Sequence, residues 1–246
     1  VPIVTHLQGG PSAEESDGYP EAWYLPPAAD IPPGYATVGS FYEEFRGKFF
    51  DEFGEAWEPG TAVFRYENEQ RAATLWFHDH TLGMTRLNVY AGPAGFYLLR
   101  GGASDLPEGV LPGPAPQLGD PPGIAYYEIP LAIQDRSFNA DGSLFYPAER
   151  AFFDGFAGPF VPESDMRPIW NPEFFGNTMV VNGHTWPVLE VEPRRYRFRL
   201  LNGCNSRFLN LSLWVVDAEG EKLAELPFYQ FGNETGLLPK VVKITT

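Results

Sequence analysis

The sequence predicts an all-β chain of short strands, packed as a sandwich or barrel. Gly (26) and Pro (25) together exceed a fifth of the 246 residues, and aromatic residues make up 15%. That composition favours turns and short strands over long helices. Short apolar or alternating runs also recur along the chain at roughly 8–12-residue spacing, the rhythm of a sandwich or barrel.

Taken in order, TAVFRY (61–66) alternates, ATLWFHDH (73–80) is a mixed strand-like run, and AGFYLLR (94–100) is a short apolar strand. Residues 101–123 hold six Gly and six Pro. Such a stretch supports neither a helix nor a central strand, and reads as a moderately stiff linker. A second domain reads from Ile124. YYEIPLAIQDRSF is a strand signal, and Asp141-Gly142 sits between two apolar runs as a hairpin turn. Asn182-Gly183, inside TMVVNGHTWPVLEV, is a sharper hairpin signal. In RRYRFRL, Tyr196, Phe198 and Leu200 alternate with Arg195, Arg197 and Arg199, a half-buried strand with one basic face. Leu209, Leu211 and Leu213 repeat the period of two, and LLPKVVKITT reads as a further strand. Residues 152–177 are rich in aromatics, Pro and Gly without periodicity and read as a long ordered loop. Both ends read as cut rather than finished.

The formal charge is −15, and the 17 Lys and Arg are not gathered into one run. This argues against nucleic acid and against anionic membranes, both of which need a basic footprint. No stretch of 18 consecutive apolar residues suggests a membrane span. The first residues, VPIVTHLQGG, lack the basic start and small-residue cleavage site of a signal peptide. Cys204 is the single cysteine, so no intrachain disulfide forms and the redox compartment is left open.

Three of the four histidines fall in two short motifs, Thr5-His6-Leu7-Gln8 and Trp76-Phe77-His78-Asp79-His80. On a strand, residues i and i+2 share a face. His78 and His80 therefore present two imidazoles to one space, and His6 and Gln8 share a face likewise. Two imidazoles from one strand do not readily chelate one ion, but each can hold one of two adjacent metals. Imidazole suits copper, zinc, iron and nickel. A lone His-x-His is a common accident, so spacing alone does not establish a metal site.

The flanking sequence narrows the choice. THLQGG, SDGYPEAW, QRAATLWFHDHTLGMTRLNVYAGPAGFYLL, IPLAIQDRSFNADGSLFYP, VVNGHTWPVLEVEPRRYRFRLLN and GLLP together resemble the multicopper oxidase family. The likeness is strongest to its spore-coat laccase, bilirubin oxidase and phenoxazinone synthase branch. It implies two cupredoxin-like Greek-key β-sandwich domains, one over 1–100 and one over 124–246, joined by 101–123. It also implies an oxidase of phenolic, aminophenolic, pigment or metal-ion substrates that reduces dioxygen to water. By position, His6 is then a type 2 copper ligand, and His78 and His80 each bind one copper of the type 3 pair. Asp17, in SDGYPEAW, matches an acidic residue that delivers protons near the cluster. The competing reading of Asp17 is a turn residue before Gly18.

The chain also departs from the family pattern. Gln8 stands where the family has a second histidine, and an amide is a weaker copper ligand than imidazole. The remaining histidine motifs and the type 1 site, which belong to a third cupredoxin domain, are absent. Cys204 has no histidine nearby in sequence and reads as a plain thiol. His184 reads as structural or exposed, and Met84 as packing. The resemblance thus implies a chain with a partial trinuclear site, inactive alone, whose complete form takes dioxygen and a small aromatic reductant such as a diphenol. Extracellular, periplasmic or spore-coat placement is favoured over cytoplasmic. The alternative is a copper-free cupredoxin-like scaffold or interaction protein that has lost the oxidase site.

Overall fold

A computed structural model describes residues 1–27, 31–147, 151–156, 158 and 173–245. Among the described residues 30% are strand and 12% helix, and no closed barrel forms. Packing divides it into two units. The first holds Val1–Pro130, Arg195–Arg199 and Asn210–Thr246, and the second holds Leu131–Arg194 and Leu200–Leu209.

The first unit is built on an antiparallel sheet of β1 (Thr5–Gln8), β2 (Ala73–Asp79) and β3 (Ala94–Leu99), in that order. β1 and β2 pair with Thr5 opposite Asp79, His6 opposite His78, Leu7 opposite Phe77 and Gln8 opposite Trp76. Alternation then separates two faces. One carries Leu7, Ala73 and Leu75, buried with Tyr66, Tyr97 and Leu99 packed against them. The other carries His6, Gln8, Trp76 and His78. A buried leucine contributes about 1.5–3 kcal/mol, so a one-residue slip that exposed this apolar set is strongly disfavoured.

The expected strand at 61–66 does not form. That segment is extended but joins no ladder, and side chains hold it instead. The Arg65 amide donates to Ser16 Oγ (3.0 Å), the Leu7 amide to the Tyr66 hydroxyl (3.0 Å), and the Tyr42 hydroxyl to the Thr61 carbonyl (2.6 Å).

The first unit also holds two α-helices within its mostly β fold. In α1 (Tyr42–Phe53), Tyr42, Phe45 and Phe49 recur at helical spacing and bury against Ala22 and Trp57. Glu43 and Glu44 occupy its first turn, where the helix dipole favours acids. Gly54, at φ 70°, ends it in the left-handed conformation. α2 (Thr85–Ala91) spans seven residues and stops at Gly92.

In the second unit the later part of β4 (Glu128–Arg136) pairs with β5 (Thr178–Val181), and β5 with the two-residue β6 (His184–Thr185). Asn182 (φ 49°) and Gly183 (φ 81°) form the β5–β6 turn, both with positive φ as the Asn-Gly signal requires. The Asp141-Gly142 turn also forms, with the Asn139 amide donating to the Ser143 carbonyl at 2.8 Å. α3 (Ala151–Asp154) occupies the start of the segment read as a long loop. Most of the rest of 152–177 lies outside the described residues.

The strand expected in RRYRFRL is β7 (Arg197–Asn202), but its basic face is the buried one. Arg199 is 9% exposed, whereas Phe198 and Leu200 are 36% and 46% exposed. The cause is Glu128, 4% exposed, which the guanidiniums must neutralise. It accepts from Arg100 (2.8 and 3.0 Å), Arg199 (2.5 Å) and Arg197 (3.3 Å). β8 (Leu213–Val216) and β9 (Lys222–Leu226) form one hairpin, and β10 (Phe228–Asn233) and β11 (Gly236–Ile244) another. The period of two read from Leu209 enters a strand only at Leu213. Residues 101–123 form no helix or strand, and no described helix is long and apolar enough to cross a membrane.

Burial alone would raise the Glu128 carboxyl, but hydrogen bonds from Arg100 and Arg199 and the neighbouring charges outweigh it and hold it below its ordinary value. A depressed folded-state value means the stabilisation is present above the unfolded value, 4.5, and is lost as pH falls through the folded value. Glu128→Gln leaves the largely buried Arg197 and Arg199 without a counter-charge. It is expected to lower stability at pH 7 by about 3 kcal/mol in urea unfolding. The gap from wild type should narrow as pH drops below that range, and a gap independent of pH would contradict this account.

Candidate metal centre

The register of β1 and β2 sets His6 directly across from His78. His80 follows β2, and its amide donates to the Val4 carbonyl at 3.2 Å. The three imidazoles gather on one side of the sheet. Ring centroids are 5.9 Å apart for His6 and His80, and 5.8 Å for His78 and His80. Trp76 packs against His78 at 4.4 Å, and Phe64 meets His6 edge-on at 6.3 Å.

Hydrogen bonds fix which nitrogen of two rings carries the proton. His6 Nδ1 lies 3.1 Å from the Val4 carbonyl, and His78 Nδ1 lies 2.6 Å from the Asp79 carbonyl. A carbonyl only accepts, so both Nδ1 atoms are protonated and both Nε2 atoms keep a lone pair. The Gln8 amide nitrogen donates to His6 Nε2 at 2.9 Å. His80 Nδ1 is buried and has no hydrogen-bond partner. Burial, reinforced by the other histidines, lowers the His6 pKa against the opposing Val4 hydrogen bond and the Asp17 charge. Burial likewise lowers His78, opposed by its bond to Asp79. Both imidazoles therefore favour the neutral form that a metal ligand needs.

Among the described residues, no three His, Cys, Asp or Glu side chains converge on one point to hold a single ion. Two surface clefts, of about 440 and 590 Å³, are not lined by a histidine, although the smaller touches Gln8 and Trp76.

Asp17 is exposed at the end of the Glu14–Ser16 turn, and its charge is felt at His6. Cys204 lies in the second unit. Burial, then the Asp135 charge, pushes its thiol up to about 11, so it is an unreactive thiol rather than a ready ligand. His184 is exposed in β6. Met84 precedes α2, its carbonyl accepting from the Asn88 amide at 2.9 Å.

Two residues that position the centre carry no signature in the sequence. Asp79, between the two histidines, is fully buried on the opposite face and receives hydrogen bonds from three segments. Gly18 has φ 66°, and a Cβ placed on it would fall within the His6 ring. SDGYPEAW reads only as a turn there, because the approach of His6 is a tertiary contact.

No family model matches the chain. Curated relatives do. A laccase of Bacillus subtilis (strain 168) is 39% identical over 247 residues, which is 100% of this chain and 37% of the relative. Multicopper oxidase LPR1 homolog 1 of Oryza sativa subsp. japonica is 37% identical over 98% of this chain and 32% of its own length. The chain belongs to the multicopper oxidase family. The fold agrees. McoA multicopper oxidase 2F4 variant from Aquifex aeolicus matches 99% of the chain with a TM-score of 0.57 at 23% identity. A laccase from Pediococcus acidilactici matches 99% with a TM-score of 0.54 at 22% identity. These likenesses make the fold cupredoxin-like, as expected from the sequence. This multicopper oxidase chain spans 32–37% of the length of these relatives, and its family implies copper.

Gly18→Ala is expected to displace His6, because the new methyl group and the ring need the same space. Gly83 has a similar φ, 74°, and open space around its Cβ position. Gly83→Ala should lose only the about 1–2 kcal/mol that left-handed backbone costs an alanine. Gly18→Ala should lose more in chemical denaturation and should alone move the His6 ring resonances.

Proposed function

We propose that this chain is the part of a laccase-like multicopper oxidase that lends His6, His78 and His80 to an oxygen-reducing copper cluster. The observation that carries the reading is the gathering of three imidazoles on one face, with His80 Nδ1 buried and unpartnered. An orphaned buried nitrogen costs about 1–3 kcal/mol, and a metal ion would relieve it. Because the three rings do not surround one point, they fit as one wall of a site completed by groups from a further domain. His6 is assigned to a type 2 copper, and His78 and His80 to one copper each of a type 3 pair. Copper held there would relay electrons from a reductant to dioxygen, which with protons gives water.

Asp17 is the proposed proton relay, since water formation consumes protons and its charge already reaches His6. The complete protein would draw electrons from a small aromatic reductant, and this chain alone would not turn over. Residues 1–100 and 124–246 are the proposed domains, with 101–123 between them. The compact units follow packing and do not decide that division.

A second reading, a copper-free scaffold, is favoured by one observation. Gln8 already occupies the His6 lone pair with its own amide. Copper stoichiometry separates the two. The cluster reading expects copper bound in excess of a His78→Ala/His80→Ala variant, whereas equal copper in both supports the scaffold. Gln8→His should raise the copper bound, measured by elemental analysis after desalting. No gain would overturn the view that Gln8 leaves the pair one ligand short.

A further inference from the structure

We propose that the Asp79 carboxylate is a positioning residue that sets the tautomer and orientation of His6 and His78. Asp79 is 0% exposed. Its Oδ1 accepts from the Val4 amide (2.8 Å) and Thr81 Oγ1 (2.9 Å), and its Oδ2 from the Thr81 amide (3.0 Å) and Asn88 Nδ2 (2.9 Å). No cation is among these partners, so the side chain is held by neutral donors.

The residues it pins, Val4 and Asp79 itself, are those whose carbonyls address the imidazoles. The Val4 amide is bound by the carboxylate, and the Val4 carbonyl accepts from both His6 Nδ1 and the His80 amide. The Asp79 carbonyl accepts from His78 Nδ1. With Val4 and Asp79 fixed, each carbonyl stands where only an Nδ1–H ring is satisfied. Both Nε2 atoms thereby keep a lone pair, that of His6 accepting from the Gln8 amide. Outer contacts of this kind typically change metal affinity ten- to a hundred-fold. That consequence rests on the copper reading, but the tautomers do not.

The test is long-range 1H–15N correlation spectroscopy of the metal-free chain at pH 8, with exposed His184 as internal reference. Wild type is expected to show His6 and His78 as Nδ1–H. Asp79→Asn places an amide donor against the Val4 and Thr81 donors. It should raise the Nε2–H population at both rings at least five-fold, with His184 unchanged. Asn88→Ala keeps the carboxylate and three of its four bonds, and should shift both rings the same way but less. It carries the test if Asp79→Asn fails to fold. Wild-type tautomers at both rings in every folded variant, or Nε2–H at both rings in wild type, would overturn the proposal. Copper binding by the same proteins reads the cluster assignment separately. Wild-type chain that shows the expected tautomers yet binds no copper sinks only that assignment.

Discussion

The centre of this chain depends on one buried carboxylate. Removing Asp79 from water costs several kcal/mol unless its oxygens are satisfied. The donors that satisfy them come from the segment before β1, the turn after His80 and α2. Those three segments cannot drift independently without stranding the charge. A sheet register alone would place His6 opposite His78, but strands fray at their ends. Asp79 is the last residue of β2, and Val4 immediately precedes β1. The anchor therefore sits where the ladder is weakest and the imidazoles are nearest.

Glu128 solves the same problem by the opposite means. It is surrounded by Arg100, Arg197 and Arg199 rather than by neutral donors. Arg199 also donates to Thr74, on the histidine-bearing strand. Burial first, then the adjacent Arg199 charge, lowers the Arg197 pKa, as expected where positive groups outnumber the acid they surround. Charge pairing of this sort fixes partners and is sensitive to removal of either one. The Asp79 arrangement, lacking cations, fixes geometry and leaves a net negative charge beneath the histidines. That charge raises the His78 pKa against the larger effect of burial.

Legibility followed the range of the interactions involved. β2, β3 and the Asn182-Gly183 turn were readable because alternation and positive-φ residues are local signals. The shared face of His78 and His80 was readable for the same reason. α1 was missed although its aromatic spacing is helical, since the surrounding Gly and Pro content pointed to strands. Which face of β7 is buried was not legible, because Arg197 and Arg199 go inward only in the presence of Glu128, about seventy residues earlier in the chain. Gly18 and Asp79 were illegible as positioning residues. One acts by having no side chain where His6 passes, and the other by contacts that exist only once three segments meet.

Gln8 now has a more specific meaning than a missing histidine. Its amide nitrogen sits 2.9 Å from His6 Nε2, the atom a copper ion would take. A neutral hydrogen bond of this kind is worth about 0.5–1.5 kcal/mol net. Metal–imidazole coordination competes easily with a contact of that size, so Gln8 does not bar an ion from His6. What Gln8 removes is a donor, since its amide oxygen is a poor substitute for imidazole at copper. His80 Nδ1 has no hydrogen-bond partner beside it. The copper-free reading therefore has to rest on how few ligands the face can offer, not on Gln8 keeping an ion away.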